Sequence, residues 1–264
     1  ICGRIALNSL NEISYPLLAG LVLTAEYSDL WKEDKKTETN EVMFALQHSA
    51  KHKIASNYGK SYYPSDYSPN AGWADYYGNE DFFKAYPNDD RKEWNYMTEW
   101  KIKSGEIIPY TESADKLPAI SKYYDYDEGA PGKSAQSNGI TCIYRYAEVL
   151  LMYAEASTRA TNSVNQDALN AIQEVQKRAG YQDRQIELTT TTEPTAFLAA
   201  VSNERGWEFF AEMKRWFELV RLEKVSEVRA ETWNGSLFQS NNHYYFPIPY
   251  QQIRLTQWTN NAGY

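Results

Sequence analysis

Between Ile140 and Ala179 the chain carries two amphipathic segments joined by a short polar link, and this pattern restricts the fold more than any other. Ile143, Tyr146, Ala147, Leu150, Leu151, Ala154 and Ala156 recur at three- and four-residue intervals in a stretch rich in Ala, Leu, Met and Glu. That spacing predicts a helix over Ile140–Ala160. A second helix is predicted over Asp167–Ala179, with Ala168, Ala171, Ile172 and Val175 as its apolar face and Gly180 as its stop. The link Thr161–Gln166 is short enough to force an antiparallel return. Alanines at 147, 154, 168 and 171 let the two axes approach closely. The pair has the form of a tetratricopeptide-like unit, although one pair is a weak repeat signal. A third helical block is predicted from Pro194, a favourable first-turn residue, to Val225, with Trp207, Phe210, Met213, Trp216, Phe217 and Val220 as a bulky stripe.

The rest of the chain supports shorter elements. Two short helices are expected within residues 5–31, broken by Pro16 and Gly20, followed by a charged loop from Lys32 to Asn40. Glu41–Leu46 is a compact apolar run that predicts a strand. Asn79 is placed to cap a helix running to Ala85 and stopped by Pro87. Trp94 to Thr111 alternates as a hairpin, with Trp94, Tyr96, Thr98, Trp100 and Ile102 on one face and a turn near Ser104-Gly105. Asp125–Gly139 predicts a polar loop, and the prolines of Tyr244–Pro249 predict an extended tail. The fold class is mainly α: tetratricopeptide-like helix pairs with a loop-rich subdomain and a small β-hairpin. Three parts of one domain are expected: 1–40 as the end of a helical-repeat part, 41–139 as an aromatic, loop-rich ligand-binding subdomain, and 140–264 as a C-terminal helical region.

Aromatic residues supply the functional clue. The chain holds 22 Tyr and 8 Trp, and they gather where turn formers are dense. Ser56–Gly78 contains Tyr58, Tyr62, Tyr63, Tyr67, Trp73, Tyr76 and Tyr77 among Gly, Pro, Ser, Asn and Asp. In irregular backbone about half of such rings tuck inward, and the remainder form an exposed cluster of the kind that marks a binding surface. Sugars suit it, because the apolar C–H faces of a pyranose stack on electron-rich rings while its hydroxyls meet polar side chains, here Asn57, Asn70, Asp75 and Asn79. The candidate ligand-binding residues are Trp73, Tyr76, Tyr77, Tyr62 and Tyr63.

Other chemistries find less support. A net charge of −8 with scattered Lys and Arg excludes a nucleic-acid partner, which needs a concentrated basic face. Cys2 and Cys142 are too few for a disulfide framework, and Cys142 reads as a small buried side chain. His48 and His52 lie four apart but lack a third ligand, and lysines flank His52, so no metal site is expected. No phosphate-binding glycine loop or nucleophile elbow occurs, and no cofactor is implied. Glu208 and Glu212 could be read as the carboxylate pair of a glycoside hydrolase. Lys214 and Arg215 beside them would keep both ionised, whereas a general acid needs a raised pKa. These glutamates, with Glu204, Arg215 and Arg221, are expected to pair along their own helix for a few tenths of a kcal/mol each. The longest early apolar run, Leu17–Leu23, is far shorter than the roughly 20 residues of a bilayer span. Ile1 is no start methionine and no signal pattern follows, so the chain is expected to be a mature form or a fragment lacking its beginning.

Several blocks together resemble the SusD/RagB family. Tyr144 through Ala156 is similar to the family's RYAEVLLMYAEA helix, and Val175 through Tyr181 to its VRxRAGL ending. Glu204 to Arg221 resembles ERxxEFxxEGxRWFDLVR, with Met213 in place of Gly and Glu218 in place of Asp. Tyr244–Pro249 and Ala262-Gly263-Tyr264 are similar to YLFPIP and NPGY, with Thr256-Gln257 for an Asn-Pro and Ala262 for a Pro, and Glu41–Phe44 resembles EVIF. The resemblance implies capture of a glycan by an aromatic arc built partly from loops between the EVIF and RYAE elements, with no catalysis. It also implies transfer to a SusC-like TonB-dependent transporter, over which such proteins sit as a lid. Membrane attachment would be through a lipid anchor on an N-terminal segment outside this sequence, at the outer face of the outer membrane. Family members are about twice as long, and the family's use of the glutamates of its ERxxEF block is as scaffold.

Overall fold

The computed structural model describes residues 20–68, 71–123, 137–225 and 245–262. In chain order the elements begin with strand β1 (Val42–Gln47), helices α1 (Tyr58–Tyr62), α2 (Glu80–Ala85) and α3 (Asp90–Asn95), and strands β2 (Tyr96–Met97), β3 (Glu99–Lys101), β4 (Ile107–Pro109) and β5 (Ala119–Ile120). Strand β6 (Ile140–Arg145) runs directly into helix α4 (Tyr146–Thr161). Helices α5 (Gln166–Arg178), α6 (Pro194–Glu208), α7 (Arg215–Arg221) and α8 (Tyr250–Thr256) complete the set. The chain divides into two compact units, residues 1–212 and residues 213–264.

In the first unit, α4 packs against both α5 and α6. Ala147, Leu151 and Ala154 of α4 meet Ala168, Leu169, Ala171, Ile172 and Val175 of α5, with Phe197 and Val201 of α6 and Phe209 closing the core. The alanines are almost wholly buried, as expected where two axes approach closely. Asn165 starts α5 by accepting a hydrogen bond from Ala168 N at 2.8 Å. Gly180 ends it at φ +82°, where a Cβ would lie 2.4 Å from Asp90 Oδ2.

The helix predicted from Ile140 begins six residues later. Ile140, Thr141 and Ile143 are β-branched and Tyr144 is aromatic, side chains that suit a pleated surface better than a helix. They pair antiparallel with β1, in a register that sets Phe44 against Tyr144 and Leu46 against Thr141. Cys142 is buried on this strand. The predicted hairpin narrows to β3 and β4, with Trp100 opposite Ile108 and a turn through Gly105 at φ +93°. Tyr96 pairs instead with Ile120 of β5. Asn79 caps α2 as predicted, accepting from Phe82 N at 2.9 Å.

The third helical block is not continuous. Helix α6 stops at Glu208, and Ala211 (φ 59°) and Met213 (φ 61°) take left-handed conformations before α7 starts. The last carbonyls of a helix have no intrahelical donor, and here side chains from elsewhere supply one. Tyr86 OH donates to Trp207 O at 2.5 Å, Arg145 Nη2 to Glu208 O at 2.7 Å, Lys122 Nζ to Phe210 O at 2.7 Å and Tyr123 OH to Ala211 O at 3.0 Å. The left-handed residues Ala211 and Met213 interrupt the helical ladder there, so the predicted block is two helices rather than one. In residues 20–31 the only helical turn is a 3₁₀ turn at Tyr27–Leu30, in place of the second short helix expected there; the first lies outside the described residues. Tyr27, Leu30 and Trp31 are buried in a second core with Tyr62, Ile120, Tyr123, Ile140 and Cys142.

In the second unit, residues 245–249 are non-helical, as their prolines require, and Pro249 leads into α8, which sequence periodicity did not suggest. The rings of Trp216 and Phe246 lie 6.2 Å apart.

Candidate functional site

Turn-forming residues leave 63–68 and 71–78 without a helix or an extended strand beyond α1, yet the backbone is held by hydrogen bonds. Gly72 N donates to Pro64 O at 2.9 Å, Trp73 N to Lys60 O at 2.7 Å, Ala74 N to Tyr63 O at 2.9 Å and Asp75 N to Ser61 O at 2.9 Å. Tyr76 N reaches Ser61 O at 3.3 Å, and Gly78 N donates to Pro118 O at 2.9 Å. Residues 72–76 therefore lie back along α1 and the turn after it, with their amides hydrogen-bonded, and Gly78 ties the strip to Pro118. Gly72 makes this approach possible: a Cβ there would stand 2.1 Å from Tyr63 O.

This backbone aims the rings. Trp73 and Tyr76 project outward, 51% and 61% exposed. Lys60 Nζ stands 4.8 Å from the Trp73 ring centroid. Tyr77 is half-buried and its hydroxyl donates to Asp115 Oδ2 at 2.7 Å, with burial first and Asp115 second pushing its pKa up. Tyr62 and Tyr63, predicted as ligand platforms, are core residues instead. Tyr62 lies nearly parallel to Tyr123 at 6.0 Å and is 5.8 Å from Tyr76, and burial raises its pKa to about 12. Tyr63 is wholly buried beneath the 72–74 strip, edge-on to Tyr67 at 5.0 Å. Tyr62 faces inward because α1 turns its flank toward the second core, and Tyr63, just past the helix, is covered by Gly72. Of the polar residues expected at the rim, Asn57 and Asp75 are exposed and Asn79 serves α2 as its cap, while Asn70 lies outside the described residues. Lys60 and Asp115, both adjoining the rings, carried no recognisable sequence signal.

Glu204 and Glu208 of α6, and Glu212 just beyond it, take no part in this surface. Glu204, Glu208 and Glu212 are buried and joined to Arg91, Arg145, Arg178 and Lys122 rather than to Lys214, Arg215 or Arg221. Arg91 Nη1 contacts Glu204 Oε1 at 2.5 Å and Glu208 Oε2 at 2.8 Å, and Arg91 Nη2 contacts Asp89 Oδ2 at 2.6 Å. Arg145 bonds Glu208 through Nη1, Glu41 Oε1 at 2.8 Å and Glu212 Oε1 at 2.8 Å. Arg178 bonds Glu208 through Nη2 and Glu41 Oε2 at 2.8 Å. Lys122 Nζ contacts Glu212 Oε1 at 2.7 Å, and burial, partly offset by that carboxylate, lowers its pKa to about 8. Burial alone would raise the Glu208 carboxyl, but Arg178, Arg145 and Arg91 together hold it far below its ordinary value. Glu212 is likewise depressed, by Arg145 and Lys122 acting against burial. Glu204, with Arg91 as its one guanidinium partner, is left with burial dominant and a raised pKa. The pair suggested for hydrolysis is thus sealed from solvent, and neither Glu208 nor Glu212 has the raised pKa that a general acid needs.

His48 Nδ1 lies 3.0 Å from Ile54 O and its Nε2 2.7 Å from Thr141 Oγ1, while His52 Nδ1 is 3.0 Å from Ser49 Oγ. Among the described residues no group of three His, Cys, Asp or Glu side chains converges as a metal site, and no helix is long and apolar enough to cross a membrane.

The model of the SusD family matches residues 93–264. The chain belongs to the SusD family. SusD-like protein P2 of Formosa agariphila is 26% identical over 270 residues, which cover 92% of this chain and 52% of that protein. SusD-like protein P25 of the same organism is 27% identical over 144 residues, 53% of this chain and 26% of that protein. The chain therefore spans about half the length of P2. Among solved structures, surface glycan-binding protein A from Bacteroides uniformis superposes with a TM-score of 0.76 at 21% identity, over 99% of this chain and 57% of that one. Surface glycan-binding protein A from Bacteroides thetaiotaomicron, in complex with laminarihexaose, gives 0.71 at 24% identity, over 99% and 60%. The mainly α architecture with tetratricopeptide-like helices is the fold these SusD-like chains share.

Proposed function

We propose that this SusD-family protein captures an oligosaccharide at the bacterial cell surface and hands it, chemically unchanged, to a TonB-dependent transporter. The observation that carries the reading is the outward projection of Trp73 and Tyr76 from a strip whose amides at 72–76 and 78 are hydrogen-bonded, since rings on a backbone held this way have less conformational freedom to lose when they stack on a sugar. Lys60, over the Trp73 ring, and the exposed Asp75 and Asn57 are the polar groups available to meet hydroxyls. Surface glycan-binding proteins of the same fold, one of them holding laminarihexaose, support a glycan as ligand. The sealed state of Glu208 and Glu212 supports a non-catalytic role. Residence at the outer face of the outer membrane, through a lipid anchor carried by the full-length protein, and partnership with a SusC-like barrel rest on family membership.

Calorimetry against a panel of plant, host and bacterial oligosaccharides, laminarihexaose included, tests this. At least one glycan binds with modest affinity, its chain length is unchanged after incubation, and Trp73→Ala stays folded while binding several-fold more weakly. Binding of peptides but no glycan would instead make the protein a peptide-binding scaffold, and shortened products would make it a hydrolase.

A further inference from the structure

Asp115 lies 38 residues beyond Tyr77, in a turn that no glycan-binding consideration singles out, yet it accepts the Tyr77 hydroxyl's hydrogen bond at 2.7 Å. The turn is itself fixed. Ser113 Oγ donates to Tyr110 O at 2.7 Å and accepts from Lys116 N at 3.1 Å, and Ser113 is buried. Three residues on, Pro118 O accepts from Gly78 N at 2.9 Å. A Cβ on Gly78 would lie 2.5 Å from Tyr96 Cε1, so the chain passes close against that ring. At its other end the strip is tied to α1 through Trp73, Ala74 and Asp75. Tyr76, the most exposed ring of the strip, is thus strung between an α1 anchor and a Tyr77–Asp115 anchor.

We infer that Asp115 is a positioning residue of the glycan platform: through Tyr77 it latches the far end of the 72–78 strip and so holds Trp73 and Tyr76 in their outward poses. The inference rests on the glycan-capture reading for its consequence, though not for its geometry. Its chemistry is that of an anionic acceptor for a phenol, a bond stronger than one between neutral groups. Asparagine at 115 keeps an acceptor oxygen, whereas alanine removes it. Phenylalanine at 77 removes the donor and keeps the ring.

The test uses Asp115→Ala, Asp115→Asn, Tyr77→Phe and the Asp115→Ala/Tyr77→Phe double variant, with two readouts. The first is amide hydrogen exchange of peptides covering 72–78, with a peptide from 146–161 as internal reference. The second is calorimetry with laminarihexaose, or with whichever panel glycan the unaltered protein binds most tightly. Asp115→Ala and Tyr77→Phe should each speed exchange of 72–78 alone and weaken binding about fivefold, close to 1 kcal/mol. The double variant should be no worse than either single one, and Asp115→Asn should recover most of both signals. Unchanged exchange and affinity in Asp115→Ala, or additive losses in the double variant, would overturn the latch. If no glycan binds the unaltered protein while exchange responds as described, the latch stands as structure and the glycan reading is what fails.

Discussion

Replacing Arg145 by methionine probes the buried charge cluster most severely. The guanidinium is wholly buried and bonds Glu41, Glu208 and Glu212, with a further hydrogen bond from Nη2 to Glu208 O at 2.7 Å. Methionine preserves much of the apolar stem but leaves three buried carboxylates sharing Arg91, Arg178 and Lys122. Breaking a buried ion pair by removing one partner costs about 3–5 kcal/mol, because the charge left behind stays desolvated. The lost donor to the α6 carbonyl adds to this, so Arg145→Met should lose at least about 3 kcal/mol by urea unfolding at pH 7. The pH dependence has a definite sign. Glu208 and Glu212 have folded-state pKa values below their unfolded ones, so their contribution is present above the unfolded value of about 4.3 and fades as pH falls. Without Arg145 those carboxyls protonate more readily in the folded protein, and the deficit of the variant should shrink as pH is lowered from 6 toward 4. Lys84→Met, which removes the exposed Lys84–Glu80 pair, is the control and should leave the midpoint unmoved. A loss below about 1 kcal/mol for Arg145→Met, or a deficit independent of pH, would refute the reading that Arg145 neutralises Glu41, Glu208 and Glu212 in the folded protein.

Two other substitutions test the backbone. Gly72→Ala would set a methyl 2.1 Å from Tyr63 O, a backbone atom that cannot swing aside. The strip should lift from α1 at a cost of about 1–3 kcal/mol, seen as faster amide exchange at 73–76 and weaker glycan binding. Met213→Gly removes a side chain from a left-handed residue at φ 61°. Relief of that conformation, less the added chain entropy of glycine, should raise stability by about 0.5–1 kcal/mol in thermal unfolding.

The helix pair was legible because its information is local. Periodicity, small residues and the short link all lie within Ile143–Gly180, and the cap at Asn79 needed only three neighbouring residues. Strand β6 was misread as helix because its partner, Val42–Gln47, lies a hundred residues away and the RYAE pattern that follows is strongly helical. Glu204, Glu208 and Glu212 misled for the same reason. Their four-residue spacing is that of a self-paired surface helix, and nothing local reveals Arg91, Arg145 and Arg178 as their true partners. Met213 is the converse case: a departure from glycine, noticed as sequence resemblance, acquired its cause only when the backbone showed a left-handed residue. At the candidate site, composition singled out a strip but could not sort its rings into exposed and buried. Whether Tyr63 or Trp73 faces solvent depends on Gly72 closing over Tyr63, a contact that alternation patterns cannot express in irregular backbone.

The platform and the charge cluster meet at two consecutive residues. Lys122 Nζ reaches Glu212 and Phe210 O, while Tyr123 donates to Ala211 O and stacks on Tyr62, which in turn backs Tyr76. The bend after α6 therefore fixes the segment whose ring supports the exposed one. A shallow binding surface has little area with which to offset the ordering of its own side chains, so its rings must be ordered before the ligand arrives. Buried ion pairs contribute little net stability compared with an apolar core, but they tolerate few alternative arrangements once their donors and acceptors are matched. Such a cluster, joined through Lys122 and Tyr123 to the Tyr62 ring behind Tyr76, would limit the ring's alternative poses, which is what the proposed stacking platform would need.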